Sequence, residues 1–204
     1  MAELTSDSFF KAVIFNDVNT ISSALAEGFN PNVIDKSGNT ALIVALREKS
    51  YEVANLLISN NKTDLNKPNI AGETPIMMAA FNGSYEIVRT LIEHHQVALN
   101  HPGWTALHYA STNGHDQLVE YLLKCGAYVD PESPNRTTAL MMAVRGGHIK
   151  VINLLLKNGA DLSLVNSAGL SAIDFAEQNN QKDIYKSLNL IWTKVYGAAY
   201  PNKK

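Results

Sequence analysis

Apolar positions along this chain recur in two alternating kinds of stripe. A short run opens each cycle: Gly38-Asn-Thr-Ala-Leu-Ile-Val-Ala45, Gly72-Glu-Thr-Pro-Ile-Met-Met-Ala79, Gly103-Trp-Thr-Ala-Leu-His-Tyr-Ala110, Arg136-Thr-Thr-Ala-Leu-Met-Met-Ala143 and Gly169-Leu-Ser-Ala-Ile-Asp-Phe-Ala176. A longer stripe follows each one, as in Leu118, Val119, Leu122 and Leu123, or Val151, Ile152, Leu155 and Leu156. Spacings of three and four within a stripe predict one buried helical face. The aligned hydroxyls Thr40, Thr74, Thr105, Thr138 and Ser171 step by 34, 31, 33 and 33 residues. The chain therefore reads as an array of helix pairs.

Local chemistry agrees with that reading. Each hydroxyl precedes a short helix, where its oxygen can accept from free backbone N–H groups. Alanines on the short helix let neighbouring repeats approach closely. Gly126 and Gly159 follow a long stripe, where a left-handed residue ends a helix at little cost. Ser8 to Phe15 and Ile21 to Leu25 predict a degenerate first pair. At the other end a last helix runs on towards Trp192. The expected organisation is a single domain, 1–204, with units 5–34, 35–68, 69–99, 100–132, 133–165 and 166–196. The first and last are end caps with solvated outer faces.

The runs quoted above, with Gly114-His115, Gly147-His148, Gly126-Ala127 and Gly159-Ala160, resemble the ankyrin repeat. That resemblance implies an all-α solenoid of helix-turn-helix units with short β-hairpin loops. It also implies a protein–protein interaction module, binding a partner protein through the concave groove of hairpin tips and first helices. The positions it marks for partner contact hold Lys36, Ser37, Asn39, Arg47, Glu48, Glu73, Phe81 and Asn82, then His101, Trp104, Thr112, Asn113, Asn135, Thr137 and Arg145. Phe81 and Trp104 are aromatic, and exposed aromatics in a concavity are binding anchors. Packing of Trp104 over the shortened hairpin after Asn100 is the alternative.

Arg136 stands where four other repeats carry glycine. Either Asn135 takes the left-handed position and shifts the turn by one residue, or Arg136 is strained and its guanidinium reaches a partner in the groove.

Composition narrows the function. A formal charge of -2 over 204 residues leaves no basic footprint for nucleic acid. No apolar run approaches the ~20 residues of a membrane span. Six units of about 33 residues leave almost no room for a catalytic insertion, so no catalytic residue, metal site or cofactor is expected, and the chain is expected to be monomeric. The family pattern assigns His108 to its threonine, and His115 and His148 to backbone between repeats. His94, His95 and His101 lack Cys or carboxylate partners at metal-site spacing. Cys125 has no paired base nearby. Trp192, Tyr196 and Tyr200 fall four apart and either seal the last repeat or form a docking tail.

Two rival functions remain at this level: a secreted effector sequestering a host protein, and a small metal-dependent enzyme. The chain is also similar to exported bacterial ankyrin-repeat proteins, which implies a periplasmic or secreted location. With Met1 as the native start, the absence of a signal-peptide pattern implies a cytoplasmic one.

Overall fold

The computed structural model describes residues 5–201. Met1–Leu4, read above for signal-peptide features, lies outside them. The described residues form twelve α-helices and no strand. They divide into two compact units, Met1–Leu99 and Asn100–Lys204. The first unit holds three helix pairs: α1 (Ser6–Ile14) with α2 (Val18–Ala26), α3 (Ala41–Arg47) with α4 (Tyr51–Ser59), and α5 (Pro75–Phe81) with α6 (Tyr85–Glu93). The second holds α7 (Ala106–Thr112) with α8 (Asp116–Lys124), α9 (Ala139–Gly146) with α10 (Ile149–Lys157), and α11 (Ala172–Gln178) with α12 (Lys182–Tyr196).

Helix starts follow the capping chemistry. Thr40 Oγ1 accepts from the Ile43 N–H at 3.3 Å, Thr138 Oγ1 from Met141 at 3.3 Å, and Ser171 Oγ from Asp174 at 3.2 Å. The fourth residue of each motif returns a bond to the cap backbone in four repeats. The acceptor changes each time: Met77 Sδ for Thr74 at 3.3 Å, His108 Nδ1 for Thr105 at 3.2 Å, Met141 Sδ for Thr138 at 3.5 Å and Asp174 Oδ2 for Ser171 at 2.7 Å. With the hydroxyl bonds above, this completes a capping box at Thr138 and Ser171, whereas at Thr74 and Thr105 only the returning bond is made.

Within each unit, first helices pack on first helices. Their inward residues supply the core: Leu42, Ile43, Leu46, Ile76 and Met77 in one unit, Leu107, Leu140, Met141 and Ile173 in the other, all essentially inaccessible. Side chains lace successive repeats. Asn82 Nδ2 donates to Leu46 O at 2.6 Å, and Gln181 Nε2 to Arg145 O at 3.3 Å. His148 Nε2 lies 2.9 Å from Thr112 O, so one Gly-His histidine makes the expected backbone bond between repeats.

The predicted hairpins are tight turns, with one isolated antiparallel bridge, Ile34–Thr40, among the described residues. A side-chain oxygen organises three of them. Asp35 Oδ1 accepts from the Ser37 and Asn39 N–H groups, both at 2.8 Å. Asn69 Oδ1 accepts from Ala71 and Glu73, and Asn166 Oδ1 from Ala168 and Leu170.

Candidate functional site

In the Met1–Leu99 unit, the last residue of each first helix is exposed. These are Ile14, Arg47 and Phe81, spaced 33 and 34 residues apart. Ile14 is 47% and Phe81 42% exposed. Hydrogen bonds join the three helix ends into one ridge: Ser50 Oγ donates to Ile14 O at 3.1 Å, and Asn82 Nδ2 to Leu46 O. Asn82 is thus half-buried, with its amide committed to the neighbouring repeat. Phe15, 72% exposed, adds a second ring beside Ile14. Sequence reasoning named Arg47, Phe81 and Asn82 but missed Ile14 and Phe15. Extending the repeat register one step back through the degenerate first unit would have found them.

The polar members of this unit divide into two kinds. Arg47 Nε lies 3.3 Å from Glu48 Oε1 with both side chains largely exposed, a pairing of small energetic consequence. Glu73 is half-buried and accepts from Asn69 Nδ2 at 2.8 Å. Asn39, expected outward, is only 2% exposed. Its amide donates to Asp35, and its oxygen accepts from Asn69 Nδ2 at 2.9 Å. Burial pushes the Asp35 carboxyl up, but these hydrogen bonds outweigh it and hold the group below its usual range.

In the Asn100–Lys204 unit, Trp104 is half-buried, its ring edge-on to His108 with centroids 5.1 Å apart. Part of the indole therefore packs against His108 of α7, and part remains accessible. His101 Nδ1 lies 3.2 Å from Pro102 O, while its Nε2 is buried without a hydrogen-bond partner. Asn113 caps the C-terminus of α7 and is exposed, as is Arg145 near the end of α9.

Arg136 itself adopts φ +59°, so the turn is not shifted onto Asn135. Asn135 instead braces the turn, its Oδ1 accepting from Ser133 Oγ at 2.9 Å and from the Thr137 N–H at 3.2 Å. The Arg136 guanidinium is exposed, 3.9 Å from Glu132.

His108 is the one strongly perturbed histidine. Its Nδ1 accepts from the Thr105 N–H and lies 3.1 Å from Thr105 Oγ1, which fixes the tautomer with the proton on Nε2. Nε2 donates to Thr137 O at 2.9 Å. Burial lowers its pKa from 6.5 to about 4, although the bond to Thr137 works in the opposite direction. The ring is a neutral strut between repeats. Among the described residues no three His, Cys, Asp or Glu side chains gather as metal ligands, and no helix is long and apolar enough to cross a membrane.

Known proteins match this chain along most of its length. The family profile "Ankyrin repeats (3 copies)" matches residues 6–69 and 61–133, and "Ankyrin repeats (many copies)" matches 125–176. Human palmitoyltransferase ZDHHC13 is 38% identical over 71 residues, which is 34% of this chain and 11% of that protein. The NAD-capped RNA hydrolase NUDT12 of Macaca fascicularis is 45% identical over 53 residues, 26% of this chain and 12% of that protein. The chain thus spans about a tenth of the length of these relatives. A crystal structure of an ankyrin repeat domain from Acinetobacter baumannii AYE superposes with a TM-score of 0.74 at 27% identity, covering 90% of this chain and 97% of that one. Ankyrin repeats are in general protein–protein interaction modules and typically non-enzymatic. The fold, the capping chemistry and the profile matches agree: this chain belongs to the ankyrin-repeat family.

Proposed function

We propose that the chain is a monomeric, non-enzymatic protein-binding module. Its six units are those of the expected division, with residues 5–34 and 166–196 as end caps. The partner is a protein rather than a nucleic acid or a membrane, and it is held on the hairpin turns and the ends of the first helices. The carrying observation is Phe81, a phenyl ring left 42% exposed at a position the core does not need. Arg47, Glu73 and Asn82 flank it in its own unit. Trp104, His101, Asn113, Arg136 and Arg145 are the candidate contacts of the other unit.

Affinity capture with the unaltered chain, Phe81→Ala and Trp104→Ala tests this reading. A partner held by the native chain should be weakened by ~2 kcal/mol or more in at least one variant whose melting temperature is unchanged. Equal retention by all three folded proteins would discard the surface.

A further inference from the structure

The last helix pair ends differently from the others. Helix α12 has 15 residues where every other second helix has nine, and Gly197 (φ +69°) then turns the chain back. Of residues 197–201, only Tyr200 is withdrawn from solvent. Its hydroxyl lies 2.7 Å from Asp174 Oδ2 and 2.6 Å from Ser171 Oγ. Both of those side chains are more than nine-tenths buried, at 7% and 1% exposure. Ser171 Oγ accepts from backbone N–H groups, so its own proton points to Tyr200 Oη, and the phenol proton goes to the Asp174 carboxylate. The Trp192 ring meets the phenol edge-on, centroids 5.0 Å apart.

Asp174 occupies the motif position that His108 fills two repeats earlier. There, His108 Nε2 bonds the backbone of the following hairpin. At Asp174 the partner is a side chain on a returning tail. A carboxylate buried at this position is costly unless strong donors meet it; the Ser171 N–H supplies one to Oδ2 at 2.7 Å, and the Tyr200 O–H adds a charge-assisted second. The arrangement is selective. A serine or threonine side chain is too short both to bring its hydroxyl to Asp174 and to fill the space beside Trp192. Phenylalanine brings no donor, and a phosphorylated tyrosine would set its negative charge against Asp174.

We propose that Ser171, Asp174 and Trp192 form a receptor for a tyrosine side chain. Tyr200 fills it in cis, and a partner protein segment presenting a tyrosine beside small residues, as Ala198-Ala199-Tyr200 does, fills it in trans. The tail is then a strap: a hinge at Gly197, exposed residues 198 and 199, and one anchoring side chain. A short flexible tether holds its end at an effective concentration of order mM, so an external segment competes only when it binds more tightly than that. This receptor is separate from the surface proposed above and does not depend on it.

The test titrates a synthetic peptide, acetyl-Gly-Ala-Ala-Tyr-Pro-amide, into the full chain and into the full chain carrying Tyr200→Ala. Binding is read from the Trp192 indole N–H resonance. The receptor predicts saturable binding to Tyr200→Ala and at least tenfold weaker binding to the unaltered chain. It also predicts at least tenfold weaker binding to Tyr200→Ala when the peptide tyrosine is replaced by phenylalanine or phosphotyrosine. No binding to a folded Tyr200→Ala chain, equal binding to both chains, or equal binding of the phenylalanine peptide would each overturn the proposal. Should Tyr200→Ala fail to fold, Tyr200→Phe, which keeps the ring and lacks only the hydroxyl, is titrated and read in the same way.

Discussion

The Nε2–H of His108 donates to the backbone oxygen of Thr137, 2.9 Å away and 29 residues further along the chain. One buried imidazole thus ties a helix cap to the next hairpin: the Nε2–H bond survives protonation, but Nδ1 accepts from the Thr105 N–H only while the ring is neutral. Its depressed pKa sets the sign of the pH response. The unfolded state takes up a proton near 6.5, whereas the folded state resists until about 4. Stability is therefore complete above 6.5 and falls as pH drops through that window, by up to about 3 kcal/mol. His108→Met places there the residue found at positions 77 and 141. Urea midpoints between pH 4 and 7 should show a shallower slope for His108→Met, and identical slopes would refute the assignment.

Asp130 is a carboxylate where its counterparts are amides. Asn32 Nδ2 donates to Lys62 O at 2.7 Å while its Oδ1 accepts from the Asp64 N–H, and Asn100 does the same with Gly126 O and the Tyr128 N–H. Asp130 Oδ2 accepts from the Asp161 N–H at 2.7 Å, but Oδ1 is buried without a partner. Burial raises its pKa. A raised carboxyl pKa means that the wild type loses stability as pH rises through it. Asp130→Asn should gain ~1 kcal/mol at pH 7, and the gain should shrink in acid, where the protonated side chain can donate as an amide does. A lower melting temperature for the variant at pH 7 would contradict this.

Arg136 pays for a left-handed backbone that glycine adopts freely. Its ion pair with Glu132 is long and exposed, and offsets little of that cost. Arg136→Gly should raise stability by up to ~1 kcal/mol. Loss of partner binding in the same variant would show that the arginine is kept for contact, whereas a melting temperature at or below the original would exclude strain.

Gly146 reverses the usual helix rule. Replacing a helical glycine by alanine ordinarily gains about 1 kcal/mol. Here a Cβ would run into the His148 ring, and the Thr112 carbonyl that His148 bonds is close by. Gly146→Ala should therefore destabilise by ~1 kcal/mol. In a His148→Ala background the same change should recover the ordinary gain, and a double-mutant cycle measures the difference. Additive effects would remove the steric account.

Much of the fold was legible because the repeat states each instruction several times. Thr40, Thr138 and Ser171 could be read as caps from a hydroxyl recurring before each short helix, and their bonds are present. Left-handed positions were legible where glycine marks them, in the same repeat or at the same place in another. Asn16, Lys49 and Asn180 take positive φ in register with Gly83, Gly114 and Gly147, as Arg136 does with the motif glycines; Gln96 also takes positive φ. The candidate surface was harder to read. Whether Asn39 faces solvent or folds back onto Asp35 depends on hydrogen bonds within a turn, which side-chain type alone does not decide. Tyr200 is 29 residues from Ser171 and outside the repeat period, so no spacing argument could join them.

The capping-box residue of the last repeat limits how such an array can grow. Repeat arrays lengthen by copying a unit into their own interior. A copy of 166–196 set inside the array would bring Asp174 up to the backbone oxygen of a following hairpin, where His108 offers a hydrogen to Thr137. Two acceptors would then face each other with no proton between them. A copy inherited as an interior repeat is expected to carry histidine at its fourth motif position, whose Nε2–H supplies that proton, or methionine, as at positions 77 and 141, which brings no charge there.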